Sequence, residues 1–516
     1  MNKKDQASFE ILKTSEVLKG LNVTSYIDGR WTKESGNADP KEREVLSIFN
    51  KFTLDKMADL PLANNSEITT ALDASVQAFQ AYKKTSSEDR SQLLTSLWEE
   101  LQKYEKEFVS LIASEAGKPK SYAQAEWDRS LFTLKSSANA ALEIKGEVVP
   151  IDIGVGQGKQ AYTQKFPIGP ILCITPFNFP LNLAMHKIAP ALACGNTVIL
   201  KSALQTPLTC CLLAQVINQV ISKLKDDNIP HSIFQHIVCS NEYSEKMVKD
   251  HRIAKISFTG SDAVGWKIKS SAKKKKVTLE LGGNGAVIID KHLPEKMSLK
   301  SIAQAVSKSA FLYAGQICIS TQRVLIHKDI YQDFKQELID ASLEIYNKSH
   351  SQTPEQLIHS DDLIIGPIIS LGDAKRIETW CEEALKDGAQ ELLQLESNYS
   401  HILSPKIFTE TNINMKVVSE EIFAPVCTLE VFDSIEESIE MVNQSRYGLQ
   451  TGFYTDSLNN MKMAFEKLDI GGLIINSPPG FRVDTMPYGG VKDSGLGKEG
   501  VKYAIEEMMN SKILIF

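Results

Sequence analysis

Short apolar runs alternate with longer stretches of helical period through the middle of the chain. Ile171-Leu172-Cys173-Ile174, Thr197-Val198-Ile199-Leu200, His236-Ile237-Val238-Cys239 and Lys255-Ile256-Ser257-Phe258 are β-rich. Helical stretches such as 207–223 and 244–249 separate them. This βαβα rhythm predicts a parallel sheet of doubly wound type, and an α/β fold class. A second α/β unit is expected from about 291 to 485, with strands near 323–327 and 426–432 and helices near 330–346 and 374–387.

Upstream, Tyr26-Ile27-Asp28-Gly29-Arg30-Trp31 reads as a short hairpin turning at Asp28-Gly29. Two helices are expected next, 65–82 and 88–115, the second started by Ser86 or Ser87 and stopped by Gly117-Lys118-Pro119. Residues 1–23 read as a loosely attached amphipathic lead-in. No internal repeat or low-complexity linker separates the units, so they are expected to interlock.

At 516 residues the chain exceeds what one hydrophobic core supports, so two or three domains are expected. Its net charge of −7 argues against a nucleic-acid or anionic-membrane surface. The run Lys273-Lys274-Lys275-Lys276 reads as a solvated turn before the strand Val277-Thr278-Leu279-Glu280-Leu281. Eight cysteines without CxxC spacing and nine histidines without HExxH support neither a disulfide scaffold nor a metal site. The first twenty residues lack an apolar core, and the greasiest segment, 168–192, is broken by Pro170, Pro176, Pro180 and Pro190. No signal peptide or membrane span is read, and the expected compartment is the cytoplasm.

Three stretches carry candidate chemistry. Gly315-Gln316-Ile317-Cys318 offers a thiol after a glycine that permits close backbone approach. Thr175-Pro176-Phe177-Asn178-Phe179-Pro180 offers an amide that could serve an oxyanion. Leu279-Glu280-Leu281-Gly282-Gly283 offers a carboxylate at the end of an apolar strand, where poor solvation would suit a general base. Read singly, each has a bland alternative: a buried structural cysteine, a turn asparagine, a strand-end glutamate facing water. Phe258-Thr259-Gly260-Ser261-Asp262-Ala263-Val264-Gly265 follows a strand and opens a helix, a place where free N–H groups favour a pyrophosphate. It lacks GxGxxG spacing, so alone it is a weak signal.

With these motifs stand the Gly195-Asn196 to Pro207 segment, Glu420-Glu421-Ile422-Phe423-Ala424-Pro425, and the stretch from Pro487-Tyr488-Gly489-Gly490 to Gly497-Lys498-Glu499-Gly500. In this order, from about Tyr26 to Phe516, they resemble the aldehyde dehydrogenase superfamily. The resemblance implies a Rossmann-like NAD or NADP domain over 21–145 and 168–290. It implies a catalytic domain over 291–485 and a β-arm oligomerisation element over 146–167 and 500–516, building a homodimer or homotetramer. By the same resemblance Cys318 is the nucleophile, Asn178 with the Cys318 N–H forms the oxyanion hole, and Glu280 activates the deacylating water. Lys201 and Ser261 would contact adenosine ribose and pyrophosphate, Glu421 the nicotinamide ribose, and Phe423 the ring. Thr175, Phe177, Ala203, Gly260, Gly265 and Leu281 complete the expected cofactor contacts. The implied cycle oxidises an aldehyde through a thiohemiacetal and a thioester that water hydrolyses.

Three departures matter. Lys201-Ser202-Ala203-Leu204 lacks the family's usual acidic residue at 204, which leaves the choice between NAD and NADP open. Ala424 replaces the usual glycine, and Lys498 the usual arginine of an ion pair at the domain junction. For substrate, Arg482 and Arg129 are candidates at the mouth of the site for an aldehyde with an anionic tail, as in family members acting on small polar aldehydes such as lactaldehyde. An Arg482–Asp484 structural pair is the competing reading. A CoA-acylating enzyme and a catalytically silent scaffold remain the alternative functions; Glu280 argues against the first, Cys318 and Asn178 against the second.

Overall fold

The structure is a computed structural model that describes residues 10–32, 43–224, 226, 229–362 and 365–516. Two large sheets organise it. The first has eight strands, with a parallel centre of Phe234–Ile237, Val198–Lys201, Ile171–Ile174, Lys255–Thr259 and Lys276–Glu280. Its three leading central strands are buried throughout, which is why they read as unbroken apolar runs. At one edge lies the hairpin Tyr26–Ile27/Arg30–Trp31, turned by Asp28 (φ 49°) and Gly29 (φ 75°). At the other edge the chain returns from far downstream: Gly495–Leu496 pairs antiparallel with Leu279 and Glu280.

The second sheet has seven strands, parallel except for the edge strand Gln390–Glu391. Its centre is Val426–Phe432, Thr321–His327, Gly285–Ile289 and Gln450–Tyr454. The strand Gly285–Ile289 belongs here rather than to the first unit, so the expected boundary at 290 falls several residues late. Only Leu281–Asn284 separates the last parallel strand of one sheet from a central strand of the other. The carboxyl ends of the first sheet's parallel strands, Ile174, Lys201, Thr259 and Glu280, line a common cavity, and ligands of open α/β sheets bind at such ends.

The helix Asn65–Tyr82 starts with a capping box between Asn64 and Glu67, and Ser87–Leu101 with one between Ser86 and Asp89. The expected continuous helix over 88–115 is broken by a 3₁₀ turn at Gln102–Tyr104, then resumes as Glu105–Ala116 until Gly117 (φ 71°) ends it. Residues 10–23 are docked rather than loose: Ile11 and Val17 are buried in the main core, and the Leu12 amide donates to Ser110. Residues 1–9 of the expected lead-in lie outside the described residues. Lys273 (φ 53°) turns the chain just ahead of Lys276–Glu280. Ala161–Pro167 and Met509–Ile515 pair in a two-stranded antiparallel ribbon. No helix among the described residues is long and apolar enough to cross a membrane.

Candidate active site

The thiol sits on a turn that local chemistry alone would not choose. After the helix Leu299–Phe311, three successive residues adopt left-handed geometry: Tyr313 (φ 49°), Ala314 (φ 51°) and Gly315 (φ 70°). Two of them carry a Cβ, so the turn costs energy that its surroundings must offset. Tyr313 does so by donating its hydroxyl to the Ala116 carbonyl at 2.5 Å. The Gln316 side chain adds two links, donating to Pro367 O at 3.0 Å and accepting from Ile369 N at 2.9 Å. The result turns Cys318 toward a cavity of about 600 Å³. It is the half-buried cysteine among eight free ones; the other seven are buried. Its Sγ lies 2.9 Å from the Tyr488 hydroxyl. Burial pushes the thiol up to about 11, with Tyr488 and Arg482 pulling it down and Glu421 and Glu280 pushing it up.

Asn178 leaves the strand Ile171–Ile174 on the way to the helix Asn182–Ala193 and is buried beside the same turn. Its Nδ2 donates to Gln316 O at 2.9 Å. A side-chain amide has two N–H donors, so one remains for a ligand. Glu280 ends the strand Lys276–Glu280, 2% exposed, with neither carboxylate oxygen hydrogen-bonded. Burial lifts its pKa well above the ordinary value and Glu499 adds to this, while Arg482, Lys187 and Lys498 oppose it. A buried acid without a partner is costly to fold around and is a mark of functional sites.

Beside Glu280 lies a buried charge network that local reading of the sequence missed. Lys187 Nζ donates to Glu499 at 2.5 Å and to Thr259 Oγ1 at 2.7 Å; Arg482 reaches the other Glu499 oxygen at 3.2 Å. Burial would raise Glu499, but Lys187, Arg482 and His186 together hold it down at about 2. Glu499 is brought here because its backbone pairs with Tyr488, just beyond the returning strand Gly495–Leu496. The arginines do not form the Arg482–Asp484 pair. Asp484 instead takes Arg129 in a two-pronged contact at 3.1 and 2.7 Å and His186 at 2.8 Å. Arg482 lies over the Tyr488 ring at 3.7 Å. Lys498, in the place of the usual arginine, donates to the Gly489 carbonyl at 2.8 Å.

The cavity extends from Cys318 to Lys201, and Asn178, Glu280, Thr175, Phe177, Ala203, Gly260, Ser261, Leu281, Glu421 and Phe423 all line it. Gly265 does not. A Cβ there would lie 2.3 Å from Leu281, so this glycine lets the helix Asp262–Ser271 pack close against the strand end. Gly282 and Gly283 are also explained by close approach. A Cβ on the first would sit 2.4 Å from a Glu421 oxygen, and on the second 2.6 Å from the Cys318 carbonyl. Glu421 accepts the Gly283 N–H at 2.9 Å, and burial pushes its pKa up to about 7.

The residues present fit a dinucleotide. Ser261 opens the helix Asp262–Ser271 without a side-chain cap, leaving its N–H groups to an anion. Lys201 is buried and lines the cavity, as do Ala203, Leu204, Gln205, Asn241 and Ser244. Phe177 and Phe423, both on the cavity wall, meet edge to face at 5.9 Å. Arg446, outside the expected set, pairs with Asp262 at 2.6 Å, Glu420 at 2.8 Å and Asp493 at 2.9 Å, linking the helix start to the Glu420–Glu421 segment.

A thiol, a free amide donor and an unpaired carboxylate around one dinucleotide-sized cavity define a class: cofactor-dependent oxidoreductases that work through a covalent thiol adduct. Residues 38–514 match the model of the aldehyde dehydrogenase family, and the chain belongs to that family. It is 36% identical over 498 residues to the 3-sulfolactaldehyde dehydrogenase of Priestia megaterium, covering 95% of this chain and 97% of that protein. Among solved structures it resembles aldehyde dehydrogenase 21 of Physcomitrella patens in complex with its product succinate (TM-score 0.87, 34% identity, 96% of this chain and 98% of that one). It also resembles the glyceraldehyde-3-phosphate dehydrogenase GapN of Methanocaldococcus jannaschii complexed with NADP (TM-score 0.85, 32% identity, 92% and 99%). The protein is an NAD(P)-dependent aldehyde dehydrogenase.

Proposed function

We propose that this enzyme oxidises a small aldehyde with an anionic tail to its carboxylic acid by a hydrolytic thioester route. The observation that carries the substrate reading is a pair of guanidinium groups, Arg482 and Arg129, lining the cavity that holds Cys318. Arg482 is nearly buried, with Nε unpaired, so an anion there meets a partly desolvated donor. Relatives named for 3-sulfolactaldehyde and glyceraldehyde-3-phosphate, and one holding succinate, support an anionic group at that position.

Cys318 attacks the aldehyde carbon, forming the Sγ–C bond, while the free Asn178 N–H and the Cys318 N–H take the developing oxyanion. Lys201, Ser261 and Glu421 would hold the dinucleotide, which when bound would supply the hydride acceptor. Glu280 then removes a proton from water, which attacks the thioester and frees Cys318. An unpaired Glu280 favours hydrolysis over transfer to coenzyme A, and the intact set of Cys318, Asn178 and Glu280 disfavours a silent scaffold.

The arm segment supports a homodimer or homotetramer: Ile513, Leu514, Ile515 and Phe516 stand half-exposed or more at the end of the ribbon. An apolar edge of that kind calls for a partner strand. Eight unpaired cysteines support a reducing, cytoplasmic setting.

The test pairs wild type with Cys318→Ala and Arg482→Gln on anionic and neutral aldehydes of equal length, with NAD and NADP. Turnover should vanish in C318A. In R482Q the ratio of kcat/KM for anionic over neutral substrates should fall about 10- to 100-fold, the worth of a hydrogen bond to a charged group. An unchanged ratio would remove the anionic-tail reading, and turnover surviving in C318A would remove the nucleophile.

A further inference from the structure

Tyr488 is buried, and its hydroxyl is aimed at the nucleophile. Its backbone is fixed by a reciprocal pair of hydrogen bonds with Glu499, at 3.1 Å from its own N–H and 2.7 Å to its carbonyl. The Arg482 guanidinium covers one face of the ring at 3.7 Å. The hydroxyl meets Cys318 Sγ at 2.9 Å and has no other hydrogen bond among the described residues.

We propose that Tyr488 is a catalytic residue of this enzyme, donating its O–H to Cys318 and stabilising the thiolate that attacks the aldehyde. A neutral thiol and a phenol can bond in either sense, but once the thiol loses its proton only the phenol can donate. Such a charge-assisted bond is stronger than its neutral counterpart, so it favours ionisation of Cys318. The Arg482 cation against the ring face polarises the phenol in the same direction. Tyr488 keeps its own proton throughout, since burial and the nearby Cys318 push its acidity well out of reach. The proton leaving Cys318 passes to bulk water through the cavity, which the partly exposed thiol faces, so Glu280 stays available for the later hydrolysis. The charged and titratable groups acting on the thiol are Tyr488, Arg482, Glu421 and Glu280; among them Arg482 and Tyr488 favour the anion and the two carboxylates oppose it.

The inference rests on Cys318 being the nucleophile, but its test needs no turnover. Alkylation of the purified enzyme by iodoacetamide is followed between pH 6.5 and 9, with C318A giving the background from the other cysteines. In Tyr488→Phe the ring and its contact with Arg482 remain and only the donor is lost. The thiol should become about one unit less acidic; because a less acidic thiolate is also more nucleophilic, the net alkylation rate should fall about three- to fourfold. A second variant carries 3-fluorotyrosine at 488, whose more acidic phenol is a stronger donor of the same shape. It should alkylate faster than wild type. Opposite responses of the two variants are the signature of the hydrogen bond, and a merely structural role moves neither in that way. Wild-type rates in both variants, or slowing in both, would overturn the assignment of Tyr488. Unchanged turnover in C318A would instead overturn the role of Cys318 on which it depends.

Discussion

Replacing Glu280 with Gln separates chemistry from folding at one atom-sized change. The side chain keeps its volume, and neither carboxylate oxygen loses a hydrogen bond because neither makes one. A positioned base contributes about 10²- to 10⁴-fold to the step it serves, so hydrolysis of the thioester should slow by that factor. The preceding attack by Cys318 and the hydride step should proceed at near wild-type rates. Stopped-flow absorbance would then show a burst of about one NAD(P)H per active site, followed by a slow steady state. In wild type the hydrolytic limb should rise with pH through the raised pKa of Glu280, displaced to the alkaline side of the ordinary 4.5. In E280Q that limb should be flat. The same shift fixes a stability sign. Between 4.5 and the raised value the folded protein holds a proton that the unfolded chain has lost, so stability falls as pH rises across that window and stays reduced above it. E280Q should therefore melt higher than wild type, by about 1–3 kcal/mol above the window and by little at pH 4. A steady-state rate within threefold of wild type would refute Glu280 as the base. A lost rate without a burst would place its effect before hydrolysis.

Lys187→Met leaves Glu499 buried beside Arg482 without its closest cation, which should cost about 3–5 kcal/mol in thermal or urea unfolding at pH 7. Since the folded Glu499 sits at about 2, the stability it contributes is present above the ordinary 4.5 and drains away as pH falls toward 2, so wild type and K187M should converge there. Leu204→Glu puts a carboxylate on the cavity wall near Lys201 and should cut kcat/KM for NADP at least about tenfold while sparing NAD; equal losses with both would mean that residue 204 does not face the ribose. Arg446→Met frees Asp262 and Glu420 to repel an anionic cofactor and should raise its KM about five- to tenfold with burst amplitude unchanged. An unaltered KM would reduce the cluster to surface decoration.

What the sequence made legible follows from how far each signal reaches along the chain. Strands such as Ile171–Ile174 and Val198–Lys201 declare themselves because burial on both faces writes their apolar character into consecutive residues. The motif residues gather in one cavity, apart from Gly265, because each sits at a strand end or a turn beside it, where glycine, proline and asparagine mark the break. Gly265 stands off the cavity wall against Leu281, and a glycine after a strand looks the same whether it admits a phosphate or a neighbouring leucine. The charge network shows the other limit. Lys187 and Glu499 are 312 residues apart, and Arg129 and Asp484 are 355 apart, so no window of local pattern joins them. They meet because Gly495–Leu496 closes the edge of the first sheet against Glu280 and carries Glu499 and Tyr488 back to the thiol. Resemblance could name the nucleophile, the amide and the base without that topology. The groups that tune their acidity required it, since a pKa is set by what surrounds a residue in space.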